Sequence, residues 1–146
     1  MASILKAISH SEIETLGLAE KIGLFLKEGD VVILSGELGA GKTLFVKGVA
    51  KALGIDTSLV NSPSYTIVNE YRGGSKLLFH FDLYRIGDIS ELYETGWDDY
   101  MQQKGIMVIE WGEKGESNLP IPRYQVSFKI LDDTQREIDI TVVNNG

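Results

Sequence analysis

A glycine-rich segment, residues 36–43, constrains the fold of this 146-residue chain more than any other feature. It reads Gly36-Glu37-Leu38-Gly39-Ala40-Gly41-Lys42-Thr43 and matches the pattern G-x-x-x-x-G-K-[ST]. The β-branched, apolar run 31–34 precedes it and predicts a buried strand. The run 44–53 follows it, favours a helix and ends at Gly54, which suits a helix C-terminus. Strand, glycine loop and helix together are the context that a phosphate-binding loop requires.

The spacing of this motif has a direct chemical reason. Glycines let the backbone turn tightly, so that successive N–H groups point at phosphate oxygens. The N-terminus of the helix adds about half a positive charge. Lys42 reaches the β- and γ-phosphates, and the Thr43 hydroxyl ligates Mg²⁺. The sequence therefore predicts a nucleotide site whose binding residues are Leu38, Gly39, Ala40, Gly41, Lys42 and Thr43.

Composition limits the classes of protein and partner that fit the chain. Its length predicts one domain, residues 1–146. The absence of cysteine excludes disulfides and thiolate metal sites and fits a reducing cytoplasm. The N-terminus predicts no signal peptide, and no apolar run approaches the ~18 residues of a membrane span. A net charge of −7 disfavours direct binding of nucleic acid, which needs a basic surface.

Patterning along the chain predicts alternating strands and helices. Ser11 followed by Glu14 forms a capping box, and a helix with an apolar face at Ile13, Leu16, Ala19, Ile22, Leu24 and Leu26 follows, up to a turn at 27–30. Further helices are predicted at 89–93 and 97–103, a buried strand at 106–109, and two hairpins from the strand pairs 65–71 with 76–82 and 124–131 with 136–143. This order predicts an α/β fold like that of P-loop NTPases: three layers around a mixed, mostly parallel sheet with antiparallel hairpins.

Two acidic residues each close a predicted strand. Asp82 ends the apolar run 77–81, and Glu110 ends the run 106–109. Ligands of open α/β sheets bind beyond the carboxyl ends of the strands, and phosphate-loop enzymes need carboxylates to hold Mg²⁺ and to orient water. With Lys42, these two acids are the candidate catalytic residues, and with Thr43 they are the candidate metal ligands. His80 lies between two phenylalanines, which predicts a packed, hydrogen-bonded side chain and not a base.

The segment Ser62-Pro63-Ser64-Tyr65-Thr66 follows the first α-helix of the motif and allows two interpretations. Many phosphate-loop proteins carry a γ-phosphate sensor at this point of the chain, and its hydroxyls would reach the metal. A turn fixed by proline before a strand explains the same residues equally well. Trp111, directly after Glu110, is more often a core or interface residue than a ligand contact.

Four ordered motifs resemble the TsaE family, the bacterial ATPases of the threonylcarbamoyladenosine tRNA-modification system. They are the glycine loop 36–43, Asn61-Ser62-Pro63-Ser64-Tyr65-Thr66, His80-Phe81-Asp82-Leu83-Tyr84-Arg85 and Val108-Ile109-Glu110-Trp111. The resemblance covers nearly the whole chain. One position departs from the family pattern: Ser64 stands where threonine is usual, so that a hydroxyl is kept.

The resemblance implies a specific function. TsaE proteins are cytoplasmic, bind ATP and Mg²⁺, hydrolyse ATP poorly alone, and act with the TsaB–TsaD pair that transfers threonylcarbamoyl to adenosine 37 of tRNAs. It implies that Lys42 and Thr43 hold phosphate and metal, Glu110 contributes to the Mg²⁺ site, and Asp82 supports metal or water. It places Trp111 in the active region and adds nucleotide contacts at Ser11 and at Gln135 or Arg136. The tRNA would contact the partner enzyme, which agrees with the acidic charge of this chain.

Two other functions remain open from the residues alone. A small-molecule P-loop kinase needs a second binding surface and an arginine-rich lid, but the chain has four scattered arginines and little room for a further subdomain. A GTPase-type switch needs guanine-reading and phosphate-sensing motifs, and neither Asn-Lys-x-Asp nor Asp-x-x-Gly occurs. An ATPase is therefore the preferred function.

Overall fold

Most of the predicted strands and helices are present among the described residues. The computed structural model describes residues 2–36, 41–60, 68–83, 94, 96–110 and 122–144. The strands are β1 Ala2–Ser9, β2 Val31–Gly36, β3 Val68–Tyr71, β4 Leu78–Asp82, β5 Ile106–Glu110, β6 Arg123–Ile130 and β7 Arg136–Val143. The helices are α1 Glu12–Phe25, α2 Lys42–Ala52 and α3 Trp97–Gln102, with a 3₁₀ turn at Thr57–Leu59.

The described strands form a single seven-stranded mixed sheet in the order β1-β7-β6-β2-β5-β4-β3. The four central strands β6, β2, β5 and β4 are parallel to one another. The outer strands β3, β7 and β1 pair in antiparallel fashion. Both predicted hairpins, β3–β4 and β6–β7, are present, so the predicted mixed sheet with a parallel centre and antiparallel hairpins is confirmed.

Two hydrophobic cores lie on opposite faces of the sheet, which gives the three predicted layers. Alternate residues of a strand point to opposite faces. On one face Val32, Leu34 and Val108 pack with α1 and α2 through Phe45 and Val49. On the other face a second cluster joins the sheet to α3, and it contains Val31, Ile33, Phe79, Phe81, Met107, Ile109 and Trp97.

The predicted apolar face of α1 is partly wrong. The helix begins as expected, with Ser11 as its N-cap, but Ile13 and Leu24 are 82% and 70% exposed. Ala19 of the predicted face is buried, and the other buried positions of the helix, Thr15 and Gly23, lie four residues to either side of it. Small side chains at this spacing let α1 approach α2 closely, and Leu18 and Ile22 of α1 are partly buried against the same core.

The strand β1 was not predicted. It pairs along its length with the last strand, β7, and its final residue Ser9 lies opposite Arg136. Leu5 packs against the α1–α2 core, whereas Ile4 and Ile8 point away and are 56% and 51% exposed. Apolar residues on both faces of β1 hide the alternation that would have identified the strand.

Some predictions concern segments beyond the described residues. They include the helix at 89–93, the start of β3 at 65–67 and the connector 61–66. In the part of the chain that the structure describes, every helix is too short or too polar to cross a membrane.

A polar cluster fastens the β3–β4 hairpin to α3, and it leads to a pH-dependent prediction. The Tyr100 hydroxyl donates to Glu70 at 2.8 Å, and the Arg72 guanidinium donates to the same carboxylate at 2.6 Å. The hydrogen bond from Tyr100, followed by that from Arg72, lowers the pKa of Glu70. A lowered carboxyl pKa stabilises the folded state above the unfolded value of 4.5, and this stabilisation is lost as the pH falls through the folded value.

Tyr100→Phe should therefore lower the free energy of unfolding by about 1 kcal/mol at pH 7, a value kept small because Glu70 is partly exposed. The difference from the wild type should shrink as the pH falls below 4.5. Urea unfolding between pH 3 and pH 7 measures it. Tyr124→Phe is the control, because the Tyr124 hydroxyl makes no hydrogen bond to another described residue. Equal and pH-independent losses in both variants would contradict the prediction.

Candidate functional site

The predicted site residues that the structure describes lie at one edge of the sheet. Because β2, β4, β5 and β6 are parallel, their carboxyl ends meet at the same edge. The end of β1 and the start of β7 reach this edge too, since Ser9 pairs with Arg136 and Arg136 with Ile130. Strand alternation places Asp82, Glu110 and Arg136 on the face that α1 and α2 cover.

Two glycines shape the described ends of the predicted loop. Gly36 has a φ of +143°, and a Cβ there would lie 2.7 Å from the carbonyl oxygen of Phe128. Gly41 is the N-cap of α2 in the left-handed conformation, with a φ of +109°. A larger residue would be strained or would clash at either position. The first turn of α2 contains no acidic side chain that would neutralise the positive end of the helix from within.

Lys42 lies inside this arrangement. Its side chain is buried, and its Nζ donates to the carbonyl of Gly36 at 2.8 Å, so that it spans from the start of α2 back to the end of β2. A buried ammonium group is costly unless anionic or dipolar groups surround it. The position of Lys42 therefore suits a phosphate group at the loop. Thr43 follows it in the first turn of α2 and is half-buried.

The two predicted carboxylates are neighbours. Asp82 and Glu110 are register partners on β4 and β5, and Leu34 of β2 lies beside Glu110 on the other side. The Leu83 N–H donates to the Glu110 carbonyl at 3.1 Å and fixes the chain where β4 ends. Glu110 is buried and Asp82 is half-buried. The two acids are therefore adjacent but differ in exposure: Glu110 is enclosed by the protein, and Asp82 lies nearer to solvent.

His80 is packed and hydrogen-bonded, as predicted, but its partner was not foreseen. Its ring is fully buried, and Nε2 lies 2.5 Å from Oε2 of Glu110. Nδ1 is the buried side-chain polar atom that has no hydrogen-bond partner among the described residues. Their spacing of two residues places His80 and Asp82 on one face of β4, but only the pairing of β4 with β5 brings Glu110 to that face.

The side chains at this edge suit Mg²⁺, which keeps water and phosphate ligands, better than a metal whose ligands all come from the protein. Within the described ranges no cluster of three or more His, Cys, Asp or Glu side chains is present that would hold a metal. Mg²⁺ is bound through one or two carboxylates together with substrate phosphates and water. Asp82, Glu110 and the hydroxyl of Thr43 supply such hard oxygen donors, so the residues fit this ion.

Ser11, a predicted nucleotide contact, lies at the same edge and already caps α1. The Glu14 N–H donates to Ser11 Oγ at 3.1 Å, and the His10 N–H donates to the Glu14 carboxylate at 2.8 Å. The hydrogen bond from the His10 backbone, followed by the one with its side chain, lowers the pKa of Glu14. One turn later, Thr15 lies against the loop: its Cγ2 would be 3.8 Å from a Cβ at Gly41. The start of α1 is therefore packed directly beside the start of α2.

Arg136, with Gln135, lies at the turn between β6 and β7. Its Nη1 donates to the carbonyls of Asp132 at 2.6 Å and of Gln135 at 2.9 Å. The Asp132 carboxylate accepts from the backbone N–H groups of Thr134 and Gln135, which lowers its pKa and fixes the turn. Internal hydrogen bonds therefore hold this turn at the sheet edge where Ser11 lies. Arg136, on β7, is three strands away from Glu110 on β5.

Other predicted site residues lie outside the described residues. They are Leu38, Gly39, Ala40 and Trp111, together with Ser62, Ser64, Thr66 and Arg85. Their roles stay predictions.

Comparison with known proteins identifies relatives over nearly the whole chain. The family model described as threonylcarbamoyl adenosine biosynthesis protein TsaE matches residues 9–138. The tRNA threonylcarbamoyladenosine biosynthesis protein TsaE of Bacillus subtilis is 46% identical over 132 residues, which are 90% of this chain and 82% of that protein. The protein of the same name from Treponema pallidum is 38% identical over 93% of this chain and 99% of its own length.

A solved structure supports the same relationship. The crystal structure of YdiB from Bacillus subtilis superposes with a TM-score of 0.80 at 37% sequence identity and covers 99% of this chain and 89% of that chain. On these matches, this chain belongs to the TsaE family of threonylcarbamoyl adenosine biosynthesis proteins.

Proposed function

We propose that this chain is the Mg²⁺-dependent, ATP-binding and ATP-hydrolysing component of tRNA threonylcarbamoyladenosine biosynthesis and that it acts with the TsaB–TsaD pair in the cytoplasm. One observation carries the proposal: the glycine-capped start of α2, the buried Lys42 and the adjacent acids Asp82 and Glu110 converge on one sheet edge. The named relatives are biosynthesis proteins for the same tRNA modification.

Each residue has a distinct part in the proposed reaction. The amides at the N-terminus of α2 and the Lys42 ammonium bind the β- and γ-phosphates and neutralise charge as it develops. Glu110, with the Thr43 hydroxyl, holds the metal position. Asp82, nearer solvent, orients the water that attacks the γ-phosphorus in line with the leaving oxygen. Bound Mg²⁺ supplies Lewis-acid charge at the phosphate oxygens.

Slow turnover by the chain alone would have a structural reason in this proposal. Arg136, from the β6–β7 turn, lies three strands from Glu110 and is held by backbone carbonyls. An arginine that stabilises the transition state is often supplied by a partner. We therefore infer that TsaB–TsaD completes the site, and that tRNA is bound by those partners, because this chain carries a net charge of −7.

Isothermal titration with ATP, in Mg²⁺ and in EDTA and with GTP as the comparison nucleotide, tests the proposed site. We expect Mg²⁺-dependent heat with ATP and weaker binding of GTP. Phosphate release is then measured with and without TsaB–TsaD, and the complex should be faster. Absence of Mg²⁺-dependent ATP binding, alone and in the complex, would refute the function, whereas equal rates would refute only the activation by partners.

A further inference from the structure

The buried contact between His80 and Glu110 has a geometry that bears on the metal position. His80 is completely buried in the middle of β4, and Glu110 ends the neighbouring strand with 5% of its side chain exposed. Nε2 of the ring lies 2.5 Å from Oε2 of the carboxylate. A carboxylate that ligates a metal is deprotonated and only accepts hydrogen bonds, so a role of Glu110 as metal ligand requires Nε2 to carry the hydrogen and donate it. One carboxylate oxygen is therefore occupied before any ligand arrives.

The other oxygen is not held in the same way. Among the described residues, the Glu110 carboxylate has no side-chain partner other than His80. An oxygen that accepts a hydrogen bond from a fixed, buried ring has one lone pair fewer for a metal, so Glu110 favours ligation through its other oxygen. Mg²⁺ and Mn²⁺ accept single-oxygen carboxylate ligands in octahedral geometry, whereas Ca²⁺ takes more oxygens and often binds both oxygens of one carboxylate.

We propose that His80 is a positioning residue that makes Glu110 a one-oxygen ligand and so selects Mg²⁺ or Mn²⁺ over Ca²⁺. The inference rests on the proposed function, because it concerns the metal of that site. Hydrogen-bonded partners of metal ligands commonly set ligand orientation, and their loss typically weakens metal binding 10–100-fold.

A purely structural role for His80 is the alternative. The residues on this face of β4 change from apolar Leu78 through His80 to Asp82 as the strand approaches the site edge. A hydrogen bond between two buried side chains contributes only modestly to net stability. The packing of β4 therefore does not by itself require a histidine beside Glu110, whereas orientation of the carboxylate does.

The first test uses the protein without nucleotide or metal. His10→Gln leaves His80 as the single histidine, since the chain has two. Long-range ¹H–¹⁵N correlation spectra should show the proton on Nε2. A proton on Nδ1 with bare Nε2 would overturn the inference and leave the proposed function untouched.

The second test compares two amide variants. The nitrogen of His80→Gln reaches the place of Nε2, whereas that of His80→Asn reaches only the place of Nδ1. Mn²⁺ binding to the complex with a non-hydrolysable ATP analogue is measured by electron paramagnetic resonance, with Ca²⁺ as competitor. His80→Asn should bind Mn²⁺ 10–100-fold more weakly and lose preference over Ca²⁺, and His80→Gln should stay within about threefold of the wild type.

Thermal unfolding and circular dichroism check that both variants are folded. Wild-type Mn²⁺ affinity and Mn²⁺/Ca²⁺ preference in His80→Asn would overturn the inference alone, as would equal losses in both variants. Absence of Mn²⁺ binding by the wild-type nucleotide complex would instead overturn the proposed function, and this inference with it.

Discussion

Lys42→Met is expected to reduce Mg²⁺–ATP affinity and partner-stimulated phosphate release by at least about 100-fold, the scale of losing one preorganised charge contact to the transition state. Methionine keeps most of the aliphatic length and removes the ammonium. The Lys42 side chain is only 5% exposed, and charges interact more strongly there than in water. Titration calorimetry and phosphate release measure the two effects, and circular dichroism checks that the variant is folded.

Lys51→Met is the matched control, because Lys51 lies on the same helix in its last turn. Its Nζ is 3.7 Å from Oε1 of Glu20, and its side chain is 55% exposed. Exposed ion pairs contribute at most about 1 kcal/mol, so nucleotide binding should not change. A Lys42→Met protein that binds Mg²⁺–ATP as tightly as the Lys51→Met protein would show that the phosphates are not held at the start of α2.

The parts of the site that could be predicted from sequence are those with local causes. Gly41 is needed because the backbone before α2 takes a positive φ, and a glycine at that place in the sequence indicates such a conformation directly. Asp82 and Glu110 could be singled out because each ends an apolar strand. Their proximity could not be predicted in this way, because only the parallel pairing of β4 with β5 makes them neighbours.

The parts that could not be predicted depend on pairs distant in the sequence. The strand β1 exists because it pairs with β7, at the far end of the chain, while its own residues are apolar on both faces. The contact of His80 with Glu110 joins residues 30 positions apart, and no local pattern encodes it. The inner face of α1 was mispredicted since its buried stripe consists of small residues, which carry little hydrophobic signal.

That stripe makes the contact between α1 and α2 unusually close. A Cβ placed on Gly48 of α2 would lie 2.4 Å from Cβ of Ala19 and 2.7 Å from the carbonyl oxygen of Leu16, both in α1. Gly23 of α1 meets Ala52 of α2 in the same way, at 2.7 Å. Since Thr15 lies in α1 and Gly41 begins α2, this helix contact also fixes Ser11 and Thr15 relative to the phosphate-binding end of α2.

Gly48→Ala should therefore lower the free energy of unfolding by about 2 kcal/mol, because overpacking of 1–3 kcal/mol outweighs a helix-propensity gain of at most about 1 kcal/mol. The same substitution at Gly17, a helical position of α1 with no atom within 4 Å of an added Cβ, should raise stability by about 0.5–1 kcal/mol. Denaturant unfolding measures both changes. Displacement of α1 should also weaken ATP binding in Gly48→Ala and not in Gly17→Ala. Equal stability changes at the two glycines would mean that the helices are not held at this distance, and the start of α1 would then have no fixed place beside the nucleotide.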